Sequence, residues 1–120
     1  MPPDLVRLLE FDKDTKRLKK RFRTLEEDLD VFIRSALIPF HEEGTDYGGI
    51  VRISDMGIEH PSLYKVKRFA CRALKGRGNQ SGIRIIYAYF KDENRIELVE
   101  VYFKGDKANE DRKRILAKYT

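Results

Sequence analysis

Lysine and arginine are the side chains in this 120-residue sequence whose types and spacing could do chemistry, and one stretch concentrates them without dilution. From Pro61 to Lys91 there are eight basic residues, Lys65, Lys67, Arg68, Arg72, Lys75, Arg77, Arg84 and Lys91, and no aspartate or glutamate. The whole chain carries only +5, so everything outside this stretch is net acidic. A solvated surface normally interleaves both signs, and segregation this complete points to a face that binds a polyanion. The chemistry open to such a face is phosphate recognition. A planar guanidinium meets two phosphate oxygens at once, and an ammonium acts as a mobile point charge. Other reactive sets are thin: Cys71 is the one cysteine, and His41 and His60 have no second ligand at a useful spacing, so neither a disulfide framework nor a zinc site is expected.

The elements that must position these cations follow from periodicity. Leu63 to Leu74 and Ile83 to Phe90 (IRIIYAYF) read as two strands joined by KGRGNQSG, a glycine-rich turn. Alternation would place Arg68 and Arg72 on one face of the first strand, and Arg84 with Ile86 and Ala88 on one face of the second. Arg95 to Phe103 alternates as a third strand after the KDEN turn, and Lys107 to Tyr119 reads as a C-terminal helix with acid early and base late. Upstream, Leu5 to Phe11 reads as a short strand. Leu18, Phe22, Leu25, Leu29, Phe32 and Ala36 then form one helical stripe. Thr24 with Glu27 matches a capping box, which leaves one long helix or two broken near Thr24 as alternatives. Pro39 is expected to stop the helix, and HEEGTDYGGI to form a loop. Ile50 to Ile53 is a short strand or an anchored loop. The first half of the stripe carries a second basic cluster, Lys13, Lys16, Arg17, Lys19, Lys20, Arg21 and Arg23. It reads as a solvated face answering Glu26, Glu27, Asp28 and Asp30, with phosphate contact as the alternative.

This order gives an α+β fold in one domain, residues 1–120: a small antiparallel sheet, with a mixed edge if the first strand joins it. One or two N-terminal helices pack on one face, a C-terminal helix follows, and the other face is left concave and basic. Hydrophobic content of 41% supports a folded core, and 38% charged residues imply a thin one. No apolar run approaches a membrane span and the N-terminus lacks a signal-peptide pattern, so a cytoplasmic location is expected. A sequence pI of about 9.3 favours nucleic acid or an acidic protein as partner.

The stretches FACRALKGRGNQSGIRIIYAYF and ENRIELVEVYFKGDKANEDRKRIL carry a resemblance. Ser81-Gly82-Ile83-Arg84 entering an apolar strand, and VYFK at Val101 to Lys104 closing the last one, resemble the RelE/ParE superfamily of type II toxin–antitoxin toxins; the N-terminal half matches in element order. The resemblance implies a cytoplasmic toxin that inhibits translation by ribosome-dependent, metal-free cleavage of messenger RNA and needs no cofactor. It implies a cognate antitoxin as partner beside messenger RNA and the ribosome, and as assembly either a homodimer or a toxin–antitoxin hetero-oligomer. By motif position it assigns Arg84, Arg72 and Lys104 as catalytic residues around the scissile phosphate. Beside them, Lys65, Lys67 and Arg68 read as RNA-binding phosphate contacts with antitoxin docking as a further role, and Lys75 and Arg77 in the glycine-rich loop as RNA-binding residues or merely solubilising ones. Cleaving members often carry a terminal Tyr or His as acid or base. Here Tyr119 and Tyr102 are the candidates, and no terminal His exists.

Intramolecular attack of a 2′-hydroxyl needs a base, charge stabilisation on the transition state and an acid for the leaving oxygen. Arginine suits the second task, and lysine the second or third. Each candidate has a plainer reading: Arg84 paired with Glu97 or Glu100 across the sheet, Lys104 at a solvated strand end, Tyr87 and Tyr89 as core, Cys71 as a small buried hydrophobe. Two other functions fit the same fold: a toxin that acts on a protein such as gyrase, and an inert RNA-binding module.

Overall fold

A computed structural model describes residues 1–120. The chain runs β1 (Asp4–Arg7), α1 (Leu9–Leu18), α2 (Leu25–Phe32), a π-helical turn (Ile33–Leu37), α3 (Ile38–Glu42), β2 (Ile50–Ile53), β3 (Ser62–Val66), β4 (Ile83–Phe90), β5 (Arg95–Phe103) and α4 (Arg112–Tyr119). The sheet order is β1-β5-β4-β3-β2, with β1 parallel to β5 and every other pair antiparallel. The α+β class, the mixed edge, two N-terminal helices and a C-terminal helix are all present.

Several boundaries differ from the sequence expectation. The first strand stops at Arg7 rather than Phe11, because Phe11, Asp14, Thr15 and Leu18 recur at helical spacing and are buried on α1. Thr24 precedes α2 but makes no cap bond to its backbone. Its hydroxyl donates to Asp28 Oδ2 (2.6 Å) and accepts from the Ala73 N–H (3.0 Å). Pro39 does not stop the helix. The π-helical turn shifts the hydrogen-bond ladder just ahead of it, where proline can neither donate nor tolerate the usual carbonyl, and helical backbone continues to Glu42.

The largest correction concerns Leu63 to Leu74. The strand ends at Val66, and the following backbone is held instead by side chains: Arg72 N–H donates to Asp28 (2.9 Å), Ala73 N–H to Thr24, and Ser81 Oγ to Phe69 O (2.5 Å). Phe69 keeps a single bridge to Gln80. Phe69 and Cys71 enter the same core as Val66, three and five residues before them, which the alternation of a straight strand would not allow.

Both faces of the sheet are covered. On one, Phe11, Leu18, Phe22, Leu25, Leu29 and Leu37 pack on Ile83, Ile85, Tyr87, Leu98 and Val101. On the other, Ile115 of α4 packs on Leu63, Ile86, Ala88, Val99 and Tyr102. The open concave face expected from the sequence is therefore absent. A bulge opposite Ile86/Tyr87 resets the alternation of β5, so Leu98 and Val101 face the N-terminal helices while Val99 and Tyr102 face α4. Beyond β1, the exposed edge of β5 is closed by side chains. Buried Asp14 accepts from Val101 N–H (3.2 Å) and from Arg114 (2.7 Å), which also donates to Val99 O (3.0 Å). Asp14 and Arg114 thereby pin α1 to α4 around that edge.

Candidate nucleic-acid interface

Antiparallel pairing brings the end of β3, the start of β4 and the end of β5 to one end of the sheet. Val66 pairs with Ile85 and Ile83 with Phe103. Lys67, Arg84 and Lys104 stand at those three strand ends, and the loop after β3 brings Arg68 and Arg77 beside them. Together with Gln80, Gly82, Phe103 and Gly105 they line an open hollow of about 620 Å³. None of the five cations has a carboxylate within 4.0 Å, and no acidic residue lines the hollow.

Backbone contacts fix this geometry. Arg84 Nη1 donates to Lys67 O (2.6 Å), Lys104 N–H to Gly82 O (2.8 Å) and Lys67 N–H to Gly49 O (2.6 Å). Gly82 has φ +85°, and a Cβ there would come 3.2 Å from the Phe103 ring, so both backbone and space call for glycine. Buried Ser81 beside it donates to Phe69 O and accepts from Ile83 N–H (3.1 Å), anchoring the loop to the entry of β4. Arg84 is left without an acid: Glu97 lies opposite Ala88, four residues along the strand, and Glu100, diagonal to it, is used elsewhere. Glu97 accepts from Tyr119 Oη (2.7 Å) and Arg95; Glu100 accepts from Lys107 and from Asp111 N–H (2.8 Å).

The other sequence candidates lie outside the hollow. Arg72 is not on a strand and shares no strand face with Arg68. It clasps Asp28 (2.7 Å) and Glu27 (2.5 Å) and ties the loop to α2. Asp28, though buried, is held below the usual carboxylate range by Thr24 and Arg72, which outweigh the upward push of desolvation. Lys65 is on the α4 side and bonds buried Glu110 (2.8 Å). Desolvation alone would lower its pKa, and the Glu110 carboxylate turns the net shift upward. Lys75 is exposed in the loop and does not line the hollow. Tyr102 is the cross-strand partner of Arg84 but is buried under the segment leading to α4, its hydroxyl without a hydrogen-bond partner. Tyr119 bonds Glu97 near the start of β5, roughly 20 Å along the strand from Lys104 by the usual rise per residue. Burial, and then the Glu97 charge, push its phenol well above the ordinary tyrosine range.

Sequence reasoning missed Gln80, Phe103 and Gly105 as walls of the hollow, and the carboxylates that neutralise Lys65 and Arg72. The glycines around Phe103 were the available signal for a close approach of chain. Histidine does not contribute: His41 packs among Tyr64, Tyr87 and Tyr89, donating to or accepting from Tyr87 Oη at 2.7 Å, and His60 packs on Phe90.

A mixed-edge sheet with two N-terminal helices on one face, a C-terminal helix on the other and cations gathered at one end is a RelE-like α+β fold. The chain is similar to a chain of the archaeal RelE–RelB complex from Pyrococcus horikoshii OT3, with 16% identity and a TM-score of 0.51, over 88% of this chain and 98% of that one. At this identity the likeness shows the fold alone. No protein-family model matches the sequence, and no curated protein matches it.

Proposed function

We propose that this chain is the toxin of a type II toxin–antitoxin pair and that it cleaves messenger RNA on the ribosome. The observation that carries this reading is the hollow itself: Lys67, Arg68, Arg77, Arg84 and Lys104 converge on one space without a carboxylate to neutralise them. Arg84, steadied by Lys67 O, grips two oxygens of the scissile phosphate. The 2′-oxygen attacks phosphorus as its proton passes to solvent water in the open hollow, a 2′,3′-cyclic phosphate forms, the bond to the 5′-oxygen breaks, and a proton goes to that oxygen. Lys104 and Lys67 are the groups near enough to supply it. Arg68 and Arg77 hold flanking phosphates. Arg84, Lys104 and Lys67 stabilise the developing charge themselves, so the step as proposed uses no metal. A cognate antitoxin with an acidic segment silences the protein by covering the hollow.

One observation favours a second reading, a non-nucleolytic toxin acting on a protein such as gyrase. Neither Tyr102, Tyr119 nor either histidine lines the hollow, so it offers no phenol or imidazole as acid or base. Expression of wild type and an Arg84→Ala, Lys104→Ala variant, with growth followed and message 5′ ends mapped on translating ribosomes, separates the two. Growth arrest with new codon-phased ends, both lost in the variant, is the expected result. Arrest without new ends would leave the protein-directed reading, and no arrest would leave an inert binder.

A further inference from the structure

A second set of cations stands free next to the hollow. Lys16 at the end of α1, and Lys19, Lys20 and Arg23 in the turn into α2, are exposed and have no carboxylate within 4.0 Å. The neighbouring acids are already used: Glu10 pairs with Lys13, buried Asp14 with Arg17 and Arg114, and Asp106 with Arg21. Favourable interaction with the helix dipole accounts for a cation or two in the last turn of α1, but not for Lys20 and Arg23 beyond it.

The turn is joined to the hollow through one ring. Arg21 bonds Asp106 at 2.7 Å and lies over Phe22 and Phe103, 5.1 and 5.4 Å from their centroids. Phe103 is also a wall of the hollow, and Lys104 follows it. No unpaired acid interrupts the path from Lys104 past Phe103 to the turn. From this continuity, and resting on the reading of the hollow as a phosphate site, we infer that the α1–α2 turn is a second phosphate-binding surface. The ligand is an RNA strand long enough to run from the hollow around Phe103, and the turn supplies affinity without reading sequence.

Fluorescence anisotropy with 2′-O-methyl oligonucleotides, which cannot be cleaved, tests this on the full chain. The probes are a tetranucleotide and a dodecanucleotide. The variants are a quadruple glutamine substitution at Lys16, Lys19, Lys20 and Arg23, and Arg84→Gln with Lys104→Gln; all four turn positions are exposed, and thermal unfolding verifies that each variant is folded. The turn variant is expected to bind the tetranucleotide within about twofold of wild type and the dodecanucleotide at least tenfold more weakly. Its salt slope for the longer probe should fall by about 2 to 3, at about 0.7 per lost contact on single-stranded RNA. An unchanged dodecanucleotide affinity and slope would overturn the inference, leaving a surface for some acidic protein or a solvated face. Equal loss for both probes would overturn it too, since a diffuse field acts regardless of length. Failure of the parent reading looks different: the hollow variant would then keep its affinity for the tetranucleotide.

Discussion

Arg84 owes its availability to its neighbours. Glu100, the acid diagonally across the strand pair, is committed to Lys107 and the Asp111 backbone, and Glu97 lies opposite Ala88, out of reach and bonded to Tyr119 and Arg95, so the Arg84 guanidinium is steadied by a neutral carbonyl and keeps its charge for a ligand. Arg72 is the contrasting case, an arginine of similar sequence setting neutralised by two acids of α2. Arg84→Ala is therefore expected to lower RNA cleavage by about 10²- to 10³-fold, the usual loss for one donor to a transition-state oxyanion, with thermal stability little changed. Arg72→Ala should do the reverse, lowering the melting temperature while leaving cleavage within about tenfold; paired kinetics and thermal melts check both. His41 provides a pH dependence. Burial among aromatic rings lowers its pKa from 6.5 to about 4. The unfolded chain then binds more protons across that window, and stability falls as pH drops from about 6.5 towards 4. Allowing for its partial exposure, the loss is about 1 to 2 kcal/mol. Chemical denaturation of wild type and His41→Phe across this range should show the flatter pH profile in the variant, and equal slopes would refute the assignment.

At the scale of elements, the segment between β3 and β4 is what carries the cations, and α2 holds it. Asp28 accepts from Arg72 N–H and Thr24 from Ala73 N–H, replacing the strand ladder that this segment lacks. Asp28→Ala leaves a backbone donor unpaired, and a destabilisation of about 2 to 3 kcal/mol is expected in equilibrium unfolding. The edge of β5 depends on Asp14 in the same way. Removing this buried acid strands Arg114 and exposes Val101 N–H, and Asp14→Ala is expected to cost about 3 to 5 kcal/mol. These two contacts also mark where the sequence stops being legible. The third strand and the second hairpin strand follow from local alternation; the C-terminal helix is legible too, but it starts at Arg112 rather than Lys107, with Asp111 capping it and Glu110 left outside. The fate of Leu63 to Leu74 does not, because alternation in FACRAL is compatible with a strand, and only the distant Thr24 and Asp28 decide otherwise. The glycine-rich loop and the cations at the strand ends could be read from composition. Which of them stay unpaired could not, since Glu110 and Asp28 reach Lys65 and Arg72 across long sequence separations.

For the molecule as a whole, covering both faces of the sheet leaves its end, with the unpaired cations, as the proposed binding surface. A net charge of +5 is then less informative than its placement, with buried acids such as Asp14, Asp28, Glu100 and Glu110 paired at the core and two groups of unpaired cations gathered at the strand ends and the α1–α2 turn. No helix is long and apolar enough to cross a membrane. Polyanion binding of this kind weakens steeply with salt, so affinity for RNA should fall by an order of magnitude or more between low and physiological ionic strength. Under the proposed function, the hollow lined by Arg84 and Lys104 is where RNA is cleaved. The most direct test of this is single-turnover cleavage of a ribosome-bound message by wild type, Arg72→Ala and the Arg84→Ala, Lys104→Ala variant, each verified as folded. A loss of about 10³-fold or more is expected for the double variant, with a 2′,3′-cyclic phosphate on the wild-type product and near-normal cleavage by Arg72→Ala. Wild-type rates from the double variant, or an equal collapse in Arg72→Ala, would contradict it.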